Sequence, residues 1–206
     1  MASVSAIHDV GATLIAVLRN RWLALAIKPV DDCSFHHASS AEFTTEKPDF
    51  QTKSKTTLSL LLYRVTVNEH VRQSSRFPSR DYSQAPLALD LHYLLSAWAV
   101  SALDEQTILA WAMQQIQEQP ILELGSMAVD GWQAEESVQL LPTDLSMEDL
   151  MRLWDVLKPS YRLSAAYVAR VVRIDPSRQS TLQPPVVATR FGWSDRAHES
   201  NDGAPP

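Results

Sequence analysis

Pro86-Leu87-Ala88-Leu89-Asp90-Leu91-His92-Tyr93-Leu94-Leu95-Ser96-Ala97-Trp98 is the stretch that decides the fold. Leu87, Leu89, Leu91, Tyr93 and Leu95 fall on every second position, with Ala88, Asp90, His92 and Ser96 between them. A period of two belongs to a strand with one buried face and one polar face. Pro86 stands at its start, where a missing N–H harms a ladder least. Two other stretches fit as partners. Leu58 to His70 begins apolar on both faces, then alternates, with Tyr63, Val65 and Val67 against Arg64, Thr66 and Asn68. A central strand emerging towards solvent has this pattern. Tyr161 to Asp175 places Leu163, Ala165, Tyr167, Ala169 and Val171 inward and Arg162, Ser164, Arg170 and Val172 on the opposite face. Together the three predict one sheet, with helices packed on its apolar face.

The helices follow from a different period. Ile7, Val10, Leu14, Val17 and Leu18 form one stripe within a helix from about Val4 to Trp22, which Ser3 or Ser5 is placed to cap and Gly11 weakens. Leu23, Leu25 and Ile27 alternate with alanines and suggest a short strand ending at Pro29. Ser101-Ala-Leu-Asp104 has the form of a capping box, and Ile108, Trp111, Ala112 and Ile116 share a face up to the stop at Pro120. Ile121 to Leu124 reads as a short extension, and Val138 to Leu141 as an edge strand. Ser146-Met-Glu-Asp149 opens the clearest helix, with Leu150, Leu153, Trp154 and Leu157 in a stripe and Pro159 after them. Between Asp31 and Lys55 the chain turns polar and predicts a long loop with room for an edge hairpin.

Composition narrows the classes of function. The chain has 206 residues, a net charge of −6 and 45% hydrophobic residues, suited to one domain with tails. The negative charge argues against phosphate-backbone binding over the whole surface, so no nucleic-acid partner is expected. Arg72, Arg76 and Arg80 cluster in one polar stretch, which reads as a solvated loop. No run approaches the roughly 20 apolar residues of a membrane helix, and the start Met-Ala-Ser-Val-Ser-Ala-Ile-His-Asp lacks the basic and apolar regions of a secretory signal. The single cysteine, Cys33, excludes a disulfide framework and fits a reducing compartment, so a cytoplasmic origin is expected.

Candidate chemistry is sparse. Asp90 and His92 project from one face of a strand, and Ser96 or Ser164 could complete a Ser-His-Asp set. A relay needs each group to orient the next beside an oxyanion hole, and the chain has no Gly-x-Ser-x-Gly turn. A polar sheet face meeting solvent or a neighbour accounts for the same residues with less. Cys33, His36 and His37 have metal-ligand types, but adjacent histidines rarely converge and no second cluster closes a tetrahedral site. Five glycines leave no phosphate-cradling loop. No catalytic residue, metal or cofactor is therefore expected. After Asp175-Pro176 the pattern stops, apart from an apolar island of Val186-Val187 and Phe191-Gly-Trp193. Such a tail predicts a disordered or extended arm carrying a docking segment, as in an assembly part.

Several motifs resemble one family in order and spacing. They are Leu62-Tyr63-Arg64-Val65 with Asn68-Glu69, the Pro86 strand, Ile108-Leu-Ala-Trp-Ala-Met-Gln114 with Pro120-Ile-Leu, Leu150-x-x-Leu153-Trp154, and Tyr161-Arg-Leu-Ser164 through Val171-Val-Arg-Ile-Asp175. Over roughly Ile7 to Asp175 the chain is similar to the cap, or tail-terminator, proteins of extracellular contractile injection systems. These are phage-tail-like particles of the antifeeding-prophage and Photorhabdus-virulence-cassette type. The resemblance implies an α/β (α+β) fold, with a single mixed, largely antiparallel sheet flanked by helices, as in phage tail terminators. It implies a tail-terminator-like domain over residues 1–175, with a flexible insertion at 31–57, and an arm over 176–206. It implies a non-enzymatic cap: a six-fold homo-oligomeric ring that ends the inner tube and the sheath, fixes particle length and ties one to the other. The inner tube and sheath proteins would be its partners, and a membrane would be met only through the assembled particle, released or anchored. Arg64, Asp90, His92, Arg162, Phe191 and Trp193 are the expected interface residues. A protein-binding adaptor acting through its tail, and a hydrolase using Asp90 and His92, are the alternatives.

Overall fold

The computed structural model describes residues 4–52, 55–68, 87–124, 132 and 136–174. In chain order its elements are helix α1 (Ala6–Ala24), strand β1 (Cys33–Ala38), a 3-10 helix (Ser40–Thr44), one helical turn (Asp49–Thr52), strands β2 (Thr56–Val67) and β3 (Leu87–Trp98), helix α2 (Ala102–Glu118), strands β4 (Ile121–Leu122) and β5 (Val138–Thr143), helix α3 (Met147–Val156) and strand β6 (Ser164–Ile174). The strands form one sheet in the order β1-β2-β3-β6-β5-β4. Only β1 and β2 run parallel; the other pairs are antiparallel. The three strands expected from the two-residue period are thus adjacent, with β3 between β2 and β6. The fold is the mixed, largely antiparallel α+β arrangement anticipated.

Helices α1 and α2 lie on one face. Val10, Leu14, Leu18 and Trp22 of α1 and Ile108 and Ile116 of α2 join Leu58, Leu91, Tyr93 and Tyr167 in the larger core. Trp22 and Trp111 meet edge to face, with ring centroids 5.0 Å apart, which fixes the two helices to each other. Helix α3 does not join them. Its Trp154 packs on the other face with Phe43, Phe50, Leu61, Leu94 and Trp98 in a second, smaller core. Not every helix therefore shares the apolar face, because the even positions of β3 turn apolar at Leu94 and Trp98.

Two irregularities change which side chains point inward. Leu62 faces Tyr93 while Arg64 faces His92, so β2 carries one extra residue there. Leu89 faces Val172 while Leu91 faces Ala169, so β6 carries one as well. An extra residue reverses the side-chain faces beyond it. Tyr63 accordingly packs with the second core, whereas Val65 and Val67 stand across from Leu91 and Leu89 on the α1–α2 face. In β6 it is Val172, rather than Val171, that enters the larger core.

Other local expectations resolve differently from the sequence reading. The Leu23–Ile27 alternation makes no strand; Leu23 and Ala24 finish α1. The polar stretch after Asp31 holds β1, parallel to β2, in place of a hairpin. Ile121 and Leu122 pair with β5 and do not extend α2, which puts β5 inside the sheet and β4 at its edge. Ser101 occupies the N-cap position of α2 without a side-chain cap bond, whereas Ser146 accepts from the Asp149 N–H at 3.1 Å. Ser5 likewise makes no cap; its hydroxyl donates to Asp9 Oδ2 at 2.7 Å. Gly11 has a packing reason, since a Cβ there would lie 2.4 Å from His37 Nε2.

Candidate assembly surface

Among the described residues, α3 and the aromatic residues cover the second face of the sheet where Leu94 and Trp98 draw them onto it. At the other end of β3 the same face carries Asp90 and His92. β2 adds Arg64, Thr66 and Asn68 beside them, and β6 adds Arg170. Alternation puts these groups together: Thr66 stands opposite Asp90, and Arg64 opposite His92.

Asp90 is the anchor. It is 7% exposed, a depth at which a carboxylate needs partners. Asn68 Nδ2 donates to both its oxygens at 3.0 and 3.1 Å, and Arg170 Nε stands 3.3 Å from Oδ2. The Arg170 side chain is half exposed, so its charge reaches the surface. His92 Nε2 lies 3.0 Å from Thr66 Oγ1, and its ring meets Tyr63 at a 60° tilt and 6.0 Å. Burial lowers the His92 pKa most; the Arg64 guanidinium lowers it further and Asp90 works against both, with Arg170 adding to the lowering. His92 is therefore a neutral ring near pH 7, set between two arginines and a buried carboxylate.

This arrangement does not assemble a relay for acyl transfer. Asp90 engages Asn68 and Arg170, and His92 engages Thr66. Ser96 Oγ pairs with Ser164 Oγ at 2.9 Å, and Ser164 Oγ donates to the Arg162 carbonyl at 2.8 Å. The cysteine–histidine trio disperses as well. His36 turns to Glu42 Oε2 and stacks on Phe50, while His37 packs beside His8 and Gly11 on the opposite side of β1. Burial lowers the His37 pKa and pushes the Cys33 thiol up to about 12. Among the described residues no three His, Cys, Asp or Glu side chains are grouped to hold a metal ion.

Three of the six expected interface residues, Arg64, Asp90 and His92, thus come together. Arg162 stands apart at the far end of the sheet, its guanidinium 5.3 Å from the centre of the Trp98 ring. Phe191 and Trp193, and the Arg72, Arg76 and Arg80 cluster, lie outside the described residues. Asn68, Thr66 and Arg170 complete the patch, and of these only Arg170 carries charge. Its pairing with Asp90 depends on the extra residue in β6, which no periodicity announces.

A family model described as the Pvc16 N-terminal domain matches residues 9–188. Two solved structures share the fold. One is the sheath/tube terminator of an extracellular contractile injection system, PVC, in its extended state. It matches at 19% identity and a TM-score of 0.56, over 97% of this chain and 67% of that one. The other is the tube-terminating cap of the anti-feeding prophage, at 18% identity and a TM-score of 0.50, over 89% of this chain and 60% of that one. The present chain thus spans about two thirds or less of their lengths. No curated protein sequence matches.

Proposed function

The chain belongs to the Pvc16 N-terminal domain family, and from that premise we propose that it is the structural cap of a phage-tail-like contractile injection system. In this reading it assembles into a six-fold ring on the end of the inner tube and the last layer of sheath. The ring stops growth, fixes particle length and couples tube to sheath. The observation that carries the reading is the fold shared along 97% of the chain with a sheath/tube terminator. The chain acts without catalysis, metal or cofactor, in the cytoplasm where particles are built. Among the described residues no helix is long and apolar enough to cross a membrane. In this reading any membrane contact comes through the assembled particle.

Arg64, Asp90, His92 and Arg170 form the surface assigned to contacts within the ring or with tube or sheath. Charge on a partly buried, pre-arranged platform fixes register and excludes wrong partners more than it adds affinity. A ring built from one repeated heterologous contact needs that discrimination. The test is electron microscopy of particles from cells with and without the gene. Capped particles of uniform length are expected with it, and absent or length-variable particles without it. Identical particles in both would overturn the cap role.

A further inference from the structure

On the α1–α2 face, the end of the sheet beyond the helices is apolar, and its outer side chains are exposed. Val65 and Val67 of β2 are 43% and 48% exposed, and Leu87 of β3 is 48% exposed. Val67 stands across from Leu89, which is buried, and Leu87 across from Ile174, which is half-buried, so the stripe runs from β2 over β3 to β6 with Val65, Val67 and Leu87 as its exposed members. Scattered exposed aliphatics need no explanation, but a contiguous patch marks a contact. Two observations indicate what covers it. The chain leaves β6 at Ile174, on the stripe itself. The family match continues past that point to residue 188, so it takes in Val186 and Val187 and stops just short of Phe191. From Ile174 the chain leads into Val186-Val187-Ala-Thr-Arg190-Phe191-Gly-Trp193, four large apolar residues with a single charge. The stretch joining β2 to β3 also starts at the stripe, but its Phe77 and Tyr82 are spread among Arg72, Arg76 and Arg80.

We propose that the Val186–Trp193 segment folds back onto the Val65–Val67–Leu87–Ile174 stripe of its own chain. The residues between Ile174 and Val186 can span about 40 Å when extended, at roughly 3.3–3.6 Å each. The stripe is only about 10 Å across, at about 4.8 Å between strands. Docking there buttresses β2 and β3 from behind, and the same residues of those strands alternate with Arg64, Thr66, Asp90 and His92 in front. The arm thereby sets the spacing of the polar platform. The inference concerns the isolated chain and does not rest on the cap reading.

The test pairs Val67→Cys with Phe191→Cys in the full chain under mild oxidation at low protein concentration. Cys33, the only native cysteine, is changed to serine in this background so that only the two introduced thiols can pair. An intrachain disulfide, read as a faster-migrating monomer that has lost its two thiol hydrogens, is the expected result. A disulfide-linked dimer would overturn the proposal in favour of a neighbouring copy's arm. Two free thiols would overturn it in favour of another occupant. In a second measurement, maleimide should label Val67→Cys several-fold faster once Phe191 and Trp193 are changed to serine; an unchanged rate would also overturn it.

Discussion

The two ends of one sheet face differ in what they ask of their surroundings. At the Trp98 end the face is closed by Phe43, Phe50 and Trp154, and Trp98 donates from Nε1 to Ser59 Oγ at 2.7 Å. At the Asp90 end it carries polar groups that satisfy one another through Asn68, Thr66 and Arg170. The same strand thus builds core at one end and a platform at the other, separated by the step from His92 to Leu94. Stability should therefore respond mainly at the first end, and assembly at the second.

The largest effect is expected from Trp98→Ala, which should cost about 3–5 kcal/mol by emptying the centre of the smaller core. Urea unfolding read by far-UV circular dichroism would measure it; a loss below that of a surface substitution would break the comparison. Asp90→Ala should follow at about 1–3 kcal/mol, because Asn68 and Arg170 lose their shared acceptor while little packing is removed. Arg64→Glu should leave the unfolding free energy within about 0.5 kcal/mol of the parent yet reduce ring formation, read by light scattering behind a sizing column. Equal oligomer in both proteins would remove Arg64 from the proposed contact.

Acidification supplies a fourth test. Burial and the neighbouring arginines hold the His92 pKa below its ordinary 6.5, and burial does the same for His37. Well above pH 6.5 both states are neutral and these groups contribute nothing to the slope. Below it the unfolded chain binds protons that the folded one declines, so stability falls as pH drops towards the folded values. Thermal midpoints should decline between pH 7.5 and 5.5, and His92→Gln should make the decline shallower; an unchanged slope would show that His92 does not titrate in this window. The smallest effect should come from Gly11. Alanine there favours a helix by up to about 1 kcal/mol, but its Cβ would strike the His37 ring. Gly11→Ala should therefore stabilise a His37→Ala background more than it does the parent, which a double-mutant cycle resolves.

The sheet was readable because burial on one face leaves a period of two in Leu87 to Leu95, and two partners of similar length repeat it. The extra residues in β2 and β6 were not. Leu61-Leu62-Tyr63 and Arg170-Val171-Val172-Arg173 offer an apolar and a polar choice on either side of the slip, so composition does not register it. β1 was missed because Cys33-Ser-Phe-His-His-Ala has one large apolar anchor, Phe35, and an edge strand buries too little to impose more. Asp90 and His92 were visible as polar residues in an apolar run. Arg162 could not be placed, since its contact with the Trp98 ring is made between elements far apart in the chain. The family resemblance supplied what these patterns do not: the tail-terminator-like fold, which a solved sheath/tube terminator shares.

The rims of the sheet offer little to copy. On one side Arg19 donates at 2.9 Å to the carbonyl of Phe35 in β1, occupying an acceptor on the outermost strand. On the other, β4 is two residues long, and β5 beyond it contains Pro142, which has no N–H to give. A strand arriving at either rim would find an interrupted template. Many copies crowded at one place could touch through faces and side chains without zipping edge to edge, so the sheet that holds each subunit together would not seed a fibre of its own.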